Sequence, residues 1–211
     1  MSVYIAMERV SKKIKHKEVL NDINLSLEKG KIYGITGHNG SGKTMLLRLI
    51  LGFIKPTSGK VVFQEKQPVT FGAIIENPGF ILEHSGYKNL KLLASIQNII
   101  GDKEITESML AVGLDPENKK SVKTYSLGMR QKLAIAQAIM ESPDVLVLDE
   151  PTNGLDKNSV VEIRNLLKDI HKKNGTTIIM TSHNQEDISA LCEEVIEMEN
   201  GFLRNTKSAV N

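Results

Sequence analysis

The chain has 211 residues, 40% of them apolar and 25% charged, which suits one domain, or one large domain carrying an inserted subdomain. Its net charge of +2 is too small to argue for nucleic acid, and its single cysteine, Cys192, excludes an intramolecular disulfide and fits a reducing cytoplasm. The first residues lack the charged and apolar blocks of a signal peptide. No apolar run approaches the ~18 residues of a spanning helix, because Arg48 and Lys55 interrupt the best candidate.

In chain order, residues 4–10 and 23–27 read as strands on either side of the basic stretch 12–17. That stretch holds four lysines and a histidine and reads as a solvated hairpin turn rather than a lipid or nucleic-acid contact. Residues 31–36 form a short apolar strand and 45–51 a largely buried helix. Between them lies Gly37-His38-Asn39-Gly40-Ser41-Gly42-Lys43-Thr44, a match to G-x-x-x-x-G-K-[ST]. Glycines there let backbone N–H groups approach an anion closely, and the helix that follows presents unpaired N–H groups and a favourable dipole to phosphate. Lys43 is then placed for the β/γ-phosphates of a nucleoside triphosphate and the Thr44 hydroxyl for Mg²⁺.

Pro56-Thr57-Ser58-Gly59 marks a turn before a short strand at 60–63. From about residue 77 the pattern changes, with apolar residues at helical spacing over 89–100, 103–112 and 126–140. Residues 144–149 and 176–181 are continuous apolar strands, separated by an amphipathic helix over 159–174. Uninterrupted apolar strands alternating with helices imply a parallel sheet covered on both faces. The expected fold class is α/β: a P-loop NTPase core with a largely parallel sheet, an N-terminal antiparallel β region and an inserted helical subdomain. The core is expected at about 1–76 and 131–211, and the subdomain at about 77–130.

The strand Val145-Leu146-Val147-Leu148 ends in Asp149-Glu150, which puts two carboxylates at the C-terminal edge of the sheet, where open α/β folds bind ligands. Beside the phosphate loop, Asp149 reads as a Mg²⁺ ligand acting through water, and Glu150 as the group that polarises the attacking water. Taken alone, the two acids would read as caps of the following turn.

With these motifs in place the chain resembles the nucleotide-binding subunits of ABC transporters over residues 3–203. Tyr125-Ser126-Leu127-Gly128-Met129-Arg130-Gln131 occupies the place of that family's L-S-G-G-Q signature, Asn153-Gly154-Leu155-Asp156 looks like its D-loop, and Ser182-His183 like its switch histidine. The resemblance implies a cytoplasmic ATPase, peripheral on the inner face of the cell membrane, that pairs head to tail with a second such subunit, homodimeric or heterodimeric, on a separate integral membrane permease. ATP would lie between the phosphate loop of one subunit and Ser126 and Gly128 of the other. His183 would contact the γ-phosphate, and Asp156 would sit at the seam.

Three departures from the family pattern bear on subtype. Glu76 stands where the family has its Q-loop glutamine and would act as a metal-side ligand. Leu127 replaces the first glycine of the signature. Ile14 falls where an aromatic side chain usually stacks on adenine, with His16 nearby, so discrimination between ATP and GTP is expected to be weak. Glu76 and Ser-Leu-Gly-Met together resemble bacitracin- and lantibiotic-type peptide exporters. The Phe80-Ile81-Leu82 and Tyr87 patch either packs internally or, as the resemblance implies, receives a helix of the membrane subunit. A soluble ABC ATPase acting in translation or DNA repair is the alternative, though such proteins usually carry two cassettes or an inserted coiled coil.

Overall fold

The strands divide into two sheets, and those at 32–36, 145–149 and 177–181 are buried on both faces. The computed structural model describes residues 3–65, 67–76 and 79–208. Asn77 and Pro78, where the change to helical spacing begins, lie outside the described residues. Strands β1 (Val3–Ile14), β2 (Lys17–Glu28) and β4 (Ser58–Phe63) make an antiparallel sheet in the order β2-β1-β4. The larger sheet has the order β5-β6-β7-β3-β8-β9, formed by β3 (Ile32–Thr36), β5 (Phe71–Ile74), β6 (Val145–Asp149), β7 (Thr177–Thr181), β8 (Glu194–Glu199) and β9 (Phe202–Ser208). Every pairing in it is parallel except β8 with β9.

Successive side chains of a strand point to opposite faces, and both faces of this sheet are covered. Val145 and Val147 pack with Leu46, Leu47, Leu49 and Ile50 of α1 (Lys43–Ile50) and with the antiparallel sheet beyond. Leu146 and Leu148 pack on the other face with Leu133 and Ile135 of α4 (Leu127–Ile139) and Ile163 and Leu167 of α5 (Lys157–Asn174). Helices α2 (Gly86–Gln97) and α3 (Asp102–Ala111) add Leu90, Ile105 and Met109 to this second cluster. The helical segment thus shares one core with the sheet, and α4 runs straight through residue 130, the expected subdomain edge. At Gly72 of β5 an added Cβ would come within 1.9 Å of the Ala138 carbonyl oxygen, so α4 lies directly on the strand backbone.

The hairpin β1–β2 runs farther than its apolar residues suggest. The lysines at 12 and 13 stay in the ladder, and only Lys15 and His16 turn. Ser85, whose hydroxyl accepts from the Lys88 N–H, starts α2 three residues before the apolar spacing shows it. Strands β5, β8 and β9 and the short helix α6 (Gln185–Leu191) carry too few regularly spaced apolar residues to stand out in the sequence.

Candidate active site

The residues at 37–42 turn from the end of β3 into α1. Gly37, Gly40 and Gly42 have φ of 142°, 79° and 109°, a region that favours glycine. At Gly37 a Cβ would also lie 2.2 Å from the Met198 carbonyl oxygen, so the loop's first residue rests on the backbone of β8. At Gly40 nothing stands within 4 Å, leaving its side of the loop open to a ligand. Lys43 folds back, and its ammonium donates to the carbonyls of Gly37 (2.8 Å) and His38 (3.2 Å). The charge is therefore held across the loop's mouth by neutral oxygens. His38 bonds through Nδ1 to the Asn39 carbonyl, and the Ser41 hydroxyl is buried with no hydrogen-bond partner.

Asp149 joins three elements. One carboxylate oxygen accepts from the Thr44 hydroxyl of α1 (2.8 Å) and the other from the Thr181 hydroxyl at the end of β7 (2.6 Å). Thr181 Oγ1 also accepts from the Glu150 N–H at 2.9 Å, so one hydroxyl orders both acids. Glu150 has φ of 52°, a left-handed conformation uncommon for a residue other than glycine. Its Oε2 accepts from the His183 N–H at 3.3 Å, and its Oε1 stands 3.2 Å from His183 Nε2, buried and without a well-aligned donor. Gln131 of α4 donates to the Pro151 carbonyl at 3.0 Å and fixes the turn just beyond.

These groups line a cleft of about 310 Å³ whose described walls are Val19, Asn39, Gly40, Gly42, Lys43, Thr44, Met45, Asp149, Glu150 and His183. Its lining does not include Ile14, Glu76, Ser126 or Gly128. Ile14 is half-exposed at the tip of the β1–β2 hairpin, and the apolar wall nearest the loop is Val19 instead. Glu76 is not brought to Thr44 and Asp149: its carboxylate pairs with Arg48 of α1 at 2.7 Å, one helical turn past Thr44. Ser126 caps α4, its hydroxyl accepting from the Met129 N–H at 3.1 Å. Gly128 faces Leu155, and Leu127 lies over Gly154 and stays largely exposed, so this segment rests on the 153–156 loop. Asp156 caps α5 by accepting from the Ser159 N–H and hydroxyl, and these bonds, the backbone one first, hold its carboxyl below the usual range. Phe80 and Tyr87 pack against the helical core while Ile81 and Leu82 stay exposed.

Among the described residues no group of three or more His, Cys, Asp and Glu could hold a metal ion. A hard divalent cation at Thr44 and Asp149 would therefore need phosphate oxygens and water to complete its shell, which is how Mg²⁺ is usually bound beside a nucleotide. The glycine-lined nest, a lysine with only carbonyl partners and two acids at the sheet's C-terminal edge together define the site of a P-loop ATPase.

A family model described as ABC transporter matches residues 20–153. The chain belongs to the ABC transporter family and is one of its ATP-binding, ATP-hydrolysing subunits. It is 44% identical over 213 residues to the uncharacterized ABC transporter ATP-binding protein YybJ of Bacillus subtilis (strain 168), covering 98% of this chain and 97% of that protein. Identity is 39% to the bacitracin transport ATP-binding protein BcrA of Enterococcus faecalis, over 96% of this chain and 68% of that one. It is 32% to the lantibiotic transport ATP-binding protein SrtF of Streptococcus pyogenes, over 90% and 84%. The fold matches the dimeric ATP-binding cassette MJ0796 in a post-hydrolysis state with ADP and Pi, with a TM-score of 0.89 over 98% of this chain and 99% of that one at 22% identity. Among the described residues no helix is long and apolar enough to cross a membrane.

Proposed function

We propose that this subunit hydrolyses ATP in a site shared between two copies or close relatives, on the cytoplasmic face of a membrane permease that exports a peptide antibiotic. The observation that carries the shared site is the separation of its two halves. Lys43, Thr44, Asp149, Glu150 and His183 line one cleft, while Ser126 and Gly128 sit apart from it on the 153–156 loop. Ser126 and Gly128 open a helix, and a helix N-terminus with a hydroxyl suits an anion. That surface meets phosphate only if the phosphate is presented by a second subunit.

Within one subunit the loop N–H groups and Lys43 bind the phosphates. Thr44 and Asp149 would hold Mg²⁺, which offsets phosphate charge when bound. Glu150, its carboxylate anchored by the His183 N–H, orients the attacking water, and His183 holds the γ-phosphate side of that geometry. Similarity to the bacitracin and lantibiotic transport proteins supports a peptide as cargo. The experiment is co-expression with a candidate peptide-exporting permease in a bacitracin-sensitive host. The subunit should co-purify with that protein in detergent and raise bacitracin tolerance, with Glu150→Gln abolishing the gain. Failure to co-purify would contradict the permease, and unchanged tolerance despite co-purification would contradict the cargo.

A further inference from the structure

Asp187 of α6 is fully buried and is not among the described walls of the phosphate cleft. A buried carboxylate persists only where it is paired and hydrogen-bonded, and this one is saturated. Its Oδ2 accepts from the Thr152 hydroxyl at 2.5 Å and from the Ser182 hydroxyl at 3.0 Å. Its Oδ1 accepts from Arg164 Nε at 2.6 Å and ion-pairs with the terminal nitrogen of the same guanidinium.

The partners matter for where they sit in the chain. Thr152 follows Glu150 by two residues, and Ser182 immediately precedes His183. One carboxylate oxygen therefore holds both arms of the Glu150–His183 pair from behind. Ser182 Oγ also accepts from the Asn184 N–H at 3.0 Å, which closes the turn on the far side of His183. Arg164 belongs to α5, the helix that Asp156 caps directly after the 153–156 loop. The same Arg164 lines the 670 Å³ cleft between that loop and His183.

We infer that Asp187 is a positioning residue for ATP hydrolysis, setting Glu150 and His183 in register with each other and, through Arg164, with α5. This rests on the roles proposed above for Glu150 and His183. The physical reason is the conformation of Glu150, whose positive φ is strained for a residue with a side chain and persists only if its neighbours hold it. Thr181 holds it at the N–H; Thr152 on Asp187 holds the chain beyond it. Displacing a reacting group by about 1 Å costs on the order of 10²-fold in rate. A carboxylate with two hydroxyl donors on one oxygen is a rigid spacer against such displacement.

The test uses the full chain, with Thr152→Val, Thr152→Ser and Asp187→Asn compared for ATPase kcat and KM, ATP binding, and lifetime of the ATP-dependent dimer. Glu150→Gln is the control. Thr152→Val should lower kcat at least tenfold with KM and ATP affinity within twofold of the parent, and its ATP-bound dimer should live longer, because hydrolysis is what dissolves it. Thr152→Ser, which keeps the hydroxyl, should recover kcat to within threefold. Asp187→Asn should repeat the Thr152→Val pattern wherever it folds. Unchanged kcat in Thr152→Val overturns the inference. So does a fall in kcat matched by lost ATP binding and not recovered by serine, which marks a purely structural role. If Glu150→Gln itself keeps full turnover, the catalytic assignment fails instead.

Discussion

Substituting alanine at Gly37 and at Gly40 separates two reasons for a glycine in the phosphate loop. Both have positive φ, 142° and 79°, so an L side chain at either is strained by roughly 1–2 kcal/mol. Only Gly37 is also closed in: its added Cβ would lie 2.2 Å from the Met198 carbonyl oxygen and 2.8 Å from Ser41 Oγ. Both contacts are too short to survive, and the first is to the backbone of β8, paired on both sides by β3 and β9. Such overpacking adds about 1–3 kcal/mol. For a domain of this size each kcal/mol moves Tm by roughly 2–4 °C. Gly40→Ala should lower Tm by roughly 2–8 °C and Gly37→Ala by at least half as much again, measured by thermal unfolding without nucleotide. ATP titration by fluorescence completes the comparison. Gly40→Ala should fold yet bind ATP weakly, because its methyl enters the open side where phosphate would lie. Equal Tm values for the two variants would refute the packing of the loop on β8. Undiminished ATP affinity in Gly40→Ala would refute the placement of the phosphates.

Lys43→Ala should lose ATP binding by at least 100-fold in an equilibrium titration while the apo chain folds normally, since its ammonium touches only loop carbonyls; retained affinity would contradict its role. Base selectivity should be weak, with ATP preferred to GTP by less than about tenfold, or 1.4 kcal/mol, because no Phe, Tyr or Trp is among the cleft's described walls to stack on a base; a larger preference in competition binding would point to a contact elsewhere. Asp144 accepts from the N–H and hydroxyl of Thr70, and the backbone bond foremost holds its carboxyl below the ordinary range. A lowered folded pKa contributes stability above the unfolded value of about 3.9 and loses it as pH falls through the folded value. The Tm gap between the parent and Asp144→Asn should thus be widest above pH ~5 and close towards pH ~2; a gap independent of pH would contradict the charge's part in it.

How much the sequence disclosed follows from the range of each interaction. The phosphate loop, Asp149-Glu150 and His183 are legible because their chemistry is written in consecutive residues at the ends of apolar strands. Thr181 is not, although it orders both acids: a threonine closing a strand looks like any other, and its partners lie 31 and 32 residues away. Asp187 and Arg164 are hidden for the same reason, since their pairing forms only once α5 and α6 lie together. Spacing placed Ile14 at the base and Glu76 at the metal, but spacing cannot show that the hairpin tip leaves Ile14 half-exposed. Nor can it show that Arg48 takes up the Glu76 carboxylate. The parallel centre of the sheet was readable from continuous apolar runs, whereas β5, with Gly72 under a helix carbonyl, needs its neighbours to be a strand at all.

In the proposed shared site, Ser126 and Gly128 of one subunit complete the phosphate cleft of another. Size-exclusion chromatography of Glu150→Gln with and without ATP tests it most directly, run beside Glu150→Gln combined with Gly128→Asp. The single variant should elute as a dimer only with ATP, and the double variant should stay monomeric while binding ATP as tightly. A single variant that remains monomeric with ATP, or a double variant that still dimerises on ATP, would contradict the shared site.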